Sequence, residues 1–363
     1  MLQTALHDWH TAAGARMVDF AGWHMPIQYS SIVEEHHAVR KQAGLFDIAH
    51  MGRIWFSGPD QISFLDHLLT NQVANMKLGQ VRYSLLCRED GGILDDVLVY
   101  RFEDRTLLVV NGANRLKVVD WINQHKDGYD VEVDDATCST FMLAIQGPQA
   151  EAILAPMVAT KLSEIKYYYA VQTEVLGHSA LVSRTGYTGE DGFEIIVDNE
   201  HGLELWTSLI EAKDDGTGES QVTACGLGCR DTLRLEAGMP LYGHEMDESM
   251  DPLTAGLRFA VKLKKDDFIG RDAVAAIDSK GNLPQRVGVE LDGRRIAREG
   301  ALLMLGDQQI GHISSGTFSP TFEKSIAMGY VDPASATVGT EVEVDIRGKR
   351  VSAKIVAIPF YKR

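Results

Sequence analysis

Ser183-Arg-Thr-Gly-Tyr-Thr-Gly-Glu-Asp-Gly-Phe-Glu194 sets glycines at 186, 189 and 192 between two apolar runs. Glycine allows positive φ and close backbone approach, while Tyr187 and Thr188 supply a ring and a hydroxyl, so the stretch reads as a hairpin built to present polar groups. Leu181-Val-Ser-Arg184 is the incoming strand and Phe193-Glu-Ile-Ile-Val-Asp198 its partner. Period-two alternation puts Glu194 on one face with Ile196, and Phe193, Ile195 and Val197 on the other. A carboxylate there is half-buried and needs paired donors, because an unpartnered buried charge is costly. A protein guanidinium would serve, and so would any ligand edge carrying two parallel N–H groups, such as that of a pterin. Spacing alone favours the structural Glu–Arg pair.

A second polar stretch, Gly91-Gly-Ile-Leu-Asp-Asp96-Val-Leu-Val-Tyr100, puts two acids at the head of an apolar strand. Neighbours on a strand face opposite sides, so one is expected in solvent and the other in a pocket. An inward carboxylate among apolar residues is poised for acid–base or cation-stabilising work, though a turn-capping Asp fits the local sequence equally. Met51, Tyr83 at a strand start and Asn111 after the apolar run 107–110 read singly as core or cap. A third cluster, from Cys225-Gly-Leu-Gly-Cys-Arg230 to Glu248, opens with a glycine turn and continues as a helix with Arg230 and Arg234 on one face. They suit a surface network or, facing a cleft, a ligand carboxylate or ring carbonyl.

Together these motifs resemble one family, the folate-dependent aminomethyltransferases (T-proteins) of the glycine cleavage system. The resemblance runs through Val18-Asp-Phe-Ala-Gly-Trp23, Glu35-His-His-Ala-Val-Arg40, Gly44-Leu-Phe-Asp-Ile-Ala-His-Met51, Gly92-Ile-Leu-Asp-Asp96 and the 184–194 hairpin. It continues in Gly226-Leu-Gly-Cys-Arg-Asp231, Thr317-Phe-Ser-Pro320 and Pro359-Phe-Tyr-Lys-Arg363, in order over nearly the whole chain. Each motif alone is weak; eight in register are specific. The resemblance implies Asp96 as the catalytic carboxylate, with Met51, Tyr83, Asn111, Tyr187, Glu194, Arg230 and Tyr361 binding folate and no metal. It implies tetrahydrofolate as co-substrate, a lipoyl group supplied by the partner H-protein, and transient association with the other glycine cleavage components. Two departures stand out: Cys229 where the family most often has Ala, and His244 where many members have Gln or Asn. Neither removes a group the family needs.

The resemblance also implies a three-domain cloverleaf around a central folate cavity. Residues 1–275 would form two interleaved α+β subdomains, the second covering roughly 52–136 plus part of 165–225, and 280–363 a separate unit. The sequence pattern itself gives an α+β fold of mainly antiparallel sheets with flanking helices. Strands are expected near 52–56, 81–87, 94–100, 106–111, 129–133, 140–145, 172–183 and 193–198. Ser31-Ile-Val-Glu34 is a capping-box pattern for a helix ending at Gly44; Pro59 opens a second helix with a Phe64, Leu65, Leu68, Leu69 stripe; Leu116, Val119 and Ile122 mark a third, widened by Trp121. Residues 286–363 read as short strands between Gly- and Pro-containing turns, a small β-barrel or jelly roll, with the boundary near 275–285.

Composition narrows the function. With 35 basic and 51 acidic residues the net charge is −16, which disfavours nucleic acid and anionic membrane. Cys87, Cys138, Cys225 and Cys229 lack zinc or redox spacing, and reduced thiols fit a cytoplasmic protein. The first ten residues do not read as a secretory signal, and no apolar run suits a membrane helix. There is no phosphate loop, Gly226-Leu-Gly228 lacks a dinucleotide fingerprint, and Ser314-Ser315-Gly316 is no nucleophile elbow. His36 and His37, adjacent on a helix, do not converge on a metal and are expected in solvent or behind other groups. Two rivals share the scaffold. One is a folate-dependent demethylase of a small substrate. The other, weaker because Leu241-Tyr-Gly-His-Glu245 carries no Cys, is a folate-binding iron–sulfur assembly factor. Arg294, Arg295, Arg298, Lys349, Arg350, Lys362 and Arg363 are candidates for contacting H-protein.

Overall fold

The computed structural model describes residues 1–213 and 221–363, so the 214–220 portion of the expected 165–225 assignment lies outside the described residues. Five strands, Val81–Cys87, Ile93–Arg101, Arg105–Val110, Gly52–Ser57 and Glu132–Asp135, form an antiparallel sheet in that order. Helices Gln61–Leu68 and Arg115–His125 cover one face, where Phe64, Leu65, Leu68, Val118 and Ile122 pack on Ile54, Val97, Val99 and Leu108. Leu116 is 70% exposed, so the buried stripe of the later helix runs through Val118 instead. Asp60, not Pro59, precedes the first turn of the earlier one.

A six-stranded sheet follows the order Ala170–Val175, His178–Ser183, Gly192–Asp198, Thr140–Gln146, Ala43–Asp47 and Val222–Ala224, antiparallel except for the last pair. The single strand expected over 172–183 is thus a hairpin that turns at Leu176 and Gly177. Leu176 itself takes φ 53°. The strands within 165–225 join those at 43–47 and 140–146 in one sheet, while residues 168–170 at its edge also hydrogen-bond to 79–81 beside the five-stranded sheet.

Phe193, Ile195 and Val197 face a core built with Trp206, Leu205 and Leu154. The opposite face turns Ile196 and Met142 toward Tyr100 and Leu107 of the five-stranded sheet, so the two sheets meet face to face. This is what buries both sides of each sheet and gives the strands their continuous apolar runs.

Helix Ile32–Lys41 begins at Ser31, whose side chain accepts from Glu34 N. It ends at Gln42, two residues before the expected glycine stop. Gly44 lies inside strand Ala43–Asp47, where a Cβ would stand 2.3 Å from Val39 and 2.8 Å from Cys225. Glu35 turns inward and accepts from the backbone N–H of Tyr29 and Ser30 and, at 2.8 Å, of Gly226, the N-cap of helix Leu227–Glu236. A buried carboxylate at a helix N-terminus satisfies orphan donors and favours the helix dipole. It fixes the helix that carries Arg230.

The C-terminal strands Gln285–Leu291, Lys324–Val331, Gln308–Ser319, Leu302–Leu305, Glu341–Ile346 and Lys349–Val356 close into a six-stranded barrel around Val289, Leu303, Ile313, Val344 and Ile355. Of the two expected forms it is the barrel. Among the described residues no helix is long and apolar enough to cross a membrane.

Candidate functional site

A cavity of about 1300 Å³ opens where the facing sheets meet helix Leu227–Glu236 and the barrel. Along strand Ile93–Arg101, Val97 and Val99 point to the helices while Leu98 and Tyr100 point to the other sheet. Asp96 shares the latter side and lies on the cavity wall; Asp95 lies on the helix side, fully buried. The expectation that one of the pair would sit in solvent is therefore corrected, because this strand is covered on both faces.

The two carboxylates are held by one loop. Asn111 Nδ2 donates to Asp96 Oδ1 at 2.7 Å and to Asp95 Oδ1 at 2.8 Å, and its backbone N–H donates to Asp95 Oδ2. Asn114, just before helix Arg115–His125, adds a bond to Asp95 Oδ1. The Tyr83 hydroxyl donates to Asp96 Oδ2 at 3.0 Å. Burial raises the Asp96 carboxyl above its ordinary value, with Tyr83 and Asn111 pulling the other way. Burial and then the charge of Asp96 raise Asp95 as well.

Across the cavity, Arg230 rests its guanidinium 5.0 Å from the Tyr187 ring centre and 6.0 Å from that of Phe46. The guanidinium makes no hydrogen bond or ion pair to the described residues, and its Nη1 is buried without a partner. Arg234, one turn on, is fully engaged with Asp231 and Glu245. The arginines four residues apart thus divide between a network and a cleft. Tyr187 is anchored by a bond from its hydroxyl to Pro240 O.

Glu194 lies on the face of the six-stranded sheet that meets Tyr100 and is nearly sealed at 6% exposure. Its carboxylate accepts from Thr185, and burial raises it while Thr185 and Arg230 work against that shift. The glycine turn keeps its shape through Gln146, which donates to Thr185 O and accepts from Thr188. A Cβ on Gly186 would stand 2.0 Å from Gln146 Oε1, so a larger residue would have to displace the amide that holds the turn.

Of the residues singled out in the sequence, Met51, Tyr83, Asp96, Asn111, Tyr187 and Arg230 line this one cavity. Glu194 stands behind the wall. Tyr361 is elsewhere: its ring covers the Arg40 guanidinium at 3.8 Å, and its backbone N–H bonds to Glu236 O. That arginine already pairs with Glu190 and Glu236, and the ring completes its enclosure. His36 is buried between Thr232, Thr321 and Glu236.

Several wall residues escaped the sequence reading. Tyr168 holds a left-handed φ of 59°, linking strand 81–87 to the hairpin through bonds at its N–H and C=O. Its phenol is raised by burial and then by Tyr167, Glu194 and Asp96, so it feels both carboxylates. The run of three tyrosines at 167–169 was the available signal. Phe259 stacks on Tyr83 at 5.6 Å, and Arg286 enters from the first barrel strand. His50 also lines the wall, held neutral because burial lowers it to about 4.

Comparison with known proteins agrees with this fold. Residues 6–265 match the family model described as the GCVT N-terminal domain, and residues 285–362 match the glycine cleavage T-protein C-terminal barrel domain. The chain is 47% identical to an aminomethyltransferase of Symbiobacterium thermophilum, over 99% of this chain and 97% of that one. It is 48% identical to one of Streptomyces coelicolor, over 99% and 98%. The crystal structure of glycine cleavage system aminomethyltransferase T from Bartonella henselae superposes with a TM-score of 0.92 at 36% identity, covering 99% of this chain and 98% of that one. The chain therefore belongs to the aminomethyltransferase family of the glycine cleavage system, the T-proteins, and is a one-carbon-group transferase.

Proposed function

We propose that the cavity brings tetrahydrofolate beside the aminomethyl-lipoyl arm of H-protein and moves the one-carbon unit between them. The products are 5,10-methylenetetrahydrofolate, ammonia and dihydrolipoyl H-protein. The observation that carries this reading is one cavity lined by both Asp96 and Arg230, with Glu194 behind the wall and close enough to Arg230 to feel its charge.

The residues fit such ligands. A volume of about 1300 Å³ exceeds the roughly 300–1,000 Å³ typical of a site for one small molecule, leaving room for a folate and an arm. Arg230 offers unpaired donors in the wall, and buried donors of that kind call for an acceptor from a ligand. Glu194 would take the donor edge of the pterin, and Tyr187 offers a ring for stacking.

Folate supplies the two nitrogens to which the carbon becomes bonded. Asp96, ionised, stabilises positive charge developing at that carbon as the carbon–sulfur bond opens, and accepts a proton released by an attacking nitrogen. Tyr83 and Asn111 hold its two oxygens in place, so no reorganisation is needed during the step. The two N–H protons lost from folate end one on sulfur and one on the departing amine.

In this reading the enzyme works in the cytoplasm, with H-protein as direct partner and the remaining glycine cleavage components in transient contact. The test is turnover with aminomethylated lipoyl H-protein and tetrahydrofolate, following methylenetetrahydrofolate and ammonia together. Release of both in equal amounts supports the reading; turnover only with small methylated amines, or none at all, overturns it in favour of a demethylase or a non-catalytic folate binder.

A further inference from the structure

Resting on that reading, we infer that Arg286 is a second anion-binding position of the cavity and holds the sulfur as it leaves carbon. Arg286 opens the barrel strand Gln285–Leu291 and lines the same cavity as Asp96. Its Nε and Nη1 are buried and meet no acceptor, and no ion pair to it exists among the described residues. A guanidinium kept unpaired in a cavity wall is a costly arrangement for stability, and such costs concentrate where a ligand completes the pairing.

Its place in the wall separates it from Arg230. The Arg286 side chain passes Gly256, 3.5 Å from where a Cβ would stand. The short helix Arg258–Ala260 that follows packs on strand Val81–Cys87, where Phe259 stacks on Tyr83. Tyr83 donates to Asp96. Arg286 therefore belongs to the Asp96 and Tyr83 side, whereas Arg230 sits against Tyr187 and Phe46. Tyr330, its partner in the sheet register, spends its hydroxyl on Glu245 O, leaving the guanidinium uncommitted.

The chemistry at that side creates one anion. When the carbon–sulfur bond breaks, its electron pair goes to sulfur, giving a thiolate, and the carbon left electron-deficient takes up the amine lone pair to form an iminium cation. Asp96 faces the cation, and the guanidinium faces the thiolate until a proton released from a folate nitrogen reaches the sulfur. Opposite charges developing in a water-poor cavity thus each meet a fixed counter-charge.

The experiment compares wild type with Arg286→Gln and Arg286→Lys in single turnover with aminomethylated H-protein, alongside tetrahydrofolate binding by calorimetry. The expected result is a loss of ~10²-fold in the Gln variant's single-turnover rate, as for removal of a transition-state donor. Folate affinity and the H-protein KM should stay within about twofold, and Lys should recover part of the rate. An unchanged rate in the Gln variant overturns the inference. So does a loss of folate affinity with the rate retained, which would give this guanidinium to a carboxylate of the folate tail. If Gln does not fold, the Lys variant decides: a rate equal to wild type with weakened folate binding overturns the role, and a lowered rate with folate binding intact supports it. Failure of wild type itself to release methylenetetrahydrofolate and ammonia would instead sink the underlying reading.

Discussion

Asp95 and Asp96, consecutive on one strand and pointing to opposite faces, share the single side-chain amide of Asn111, which donates to both at 2.8 and 2.7 Å. The arrangement lets a loop outside the sheet fix the orientation of a carboxylate inside the cavity. Asp95, sealed by Asn114 and the backbone of Asn111, acts as the anchor that holds that amide still.

Because burial raises Asp96, the acid limb of kcat should lie above the ordinary carboxylate range. The ionised form is the active one, so activity is present above that limb and lost as pH falls through it. Asn111→Ala removes a donor that favours the ionised form, and should move the limb to higher pH while lowering kcat by roughly tenfold. A pH–rate profile with the limb unmoved would contradict the assigned role of Asn111.

Glu194→Ala should weaken tetrahydrofolate binding before it affects the rate of bound substrate, by roughly 10- to 100-fold in Kd for a charge-assisted pair. Calorimetry measures it directly. An unaltered Kd would mean that the carboxylate serves only Thr185.

Glu236 ties helix Leu227–Glu236 to the rest of the molecule through His36, Arg40, Ser319 and Thr321. Burial opposes its ionisation, yet His36, Ser319 and Arg40 outweigh burial and bring it down to about 2. A carboxyl depressed from 4.5 contributes stability that is present above 4.5 and lost as pH falls toward about 2. At neutral pH that is on the order of 3 kcal/mol. Glu236→Gln should therefore lower Tm at pH 7, with the gap to wild type narrowing across that acid window. A gap that stays constant with pH would show that the charge is not responsible.

Among the basic residues considered for H-protein, Arg350 is near Glu343 and Asp345, and Arg363 pairs with Asp191, whereas Arg298 lies on the cavity wall beside the His244–Glu299 pair. Arg298→Glu should raise the H-protein KM by about tenfold at low salt and leave folate binding alone. No change in KM would remove Arg298 from that surface.

The hairpin and its inward carboxylate were legible because period-two alternation around Glu194 is clear and glycine spacing marks the turn. The barrel was legible from turn chemistry. What failed has physical causes. The Asp95–Asp96 pair read as half-exposed because local sequence does not reveal that helices cover one face and a second sheet the other. Leu116 looked like core because a helical stripe can be drawn through either of two rotations, and the sheet selects the one through Val118. Arg286 enters the wall through long-range packing that leaves no local pattern, and Tyr168 does so with only the tyrosine run at 167–169 to mark it.

The most direct measurement is Asp96→Asn assayed for both tetrahydrofolate binding and turnover with aminomethylated H-protein. A cavity in which Asp96 meets the reacting carbon while Glu194 and Arg230 hold the folate predicts affinity close to wild type and turnover reduced by ~10²-fold or more. Turnover near wild type in the Asn variant would contradict it.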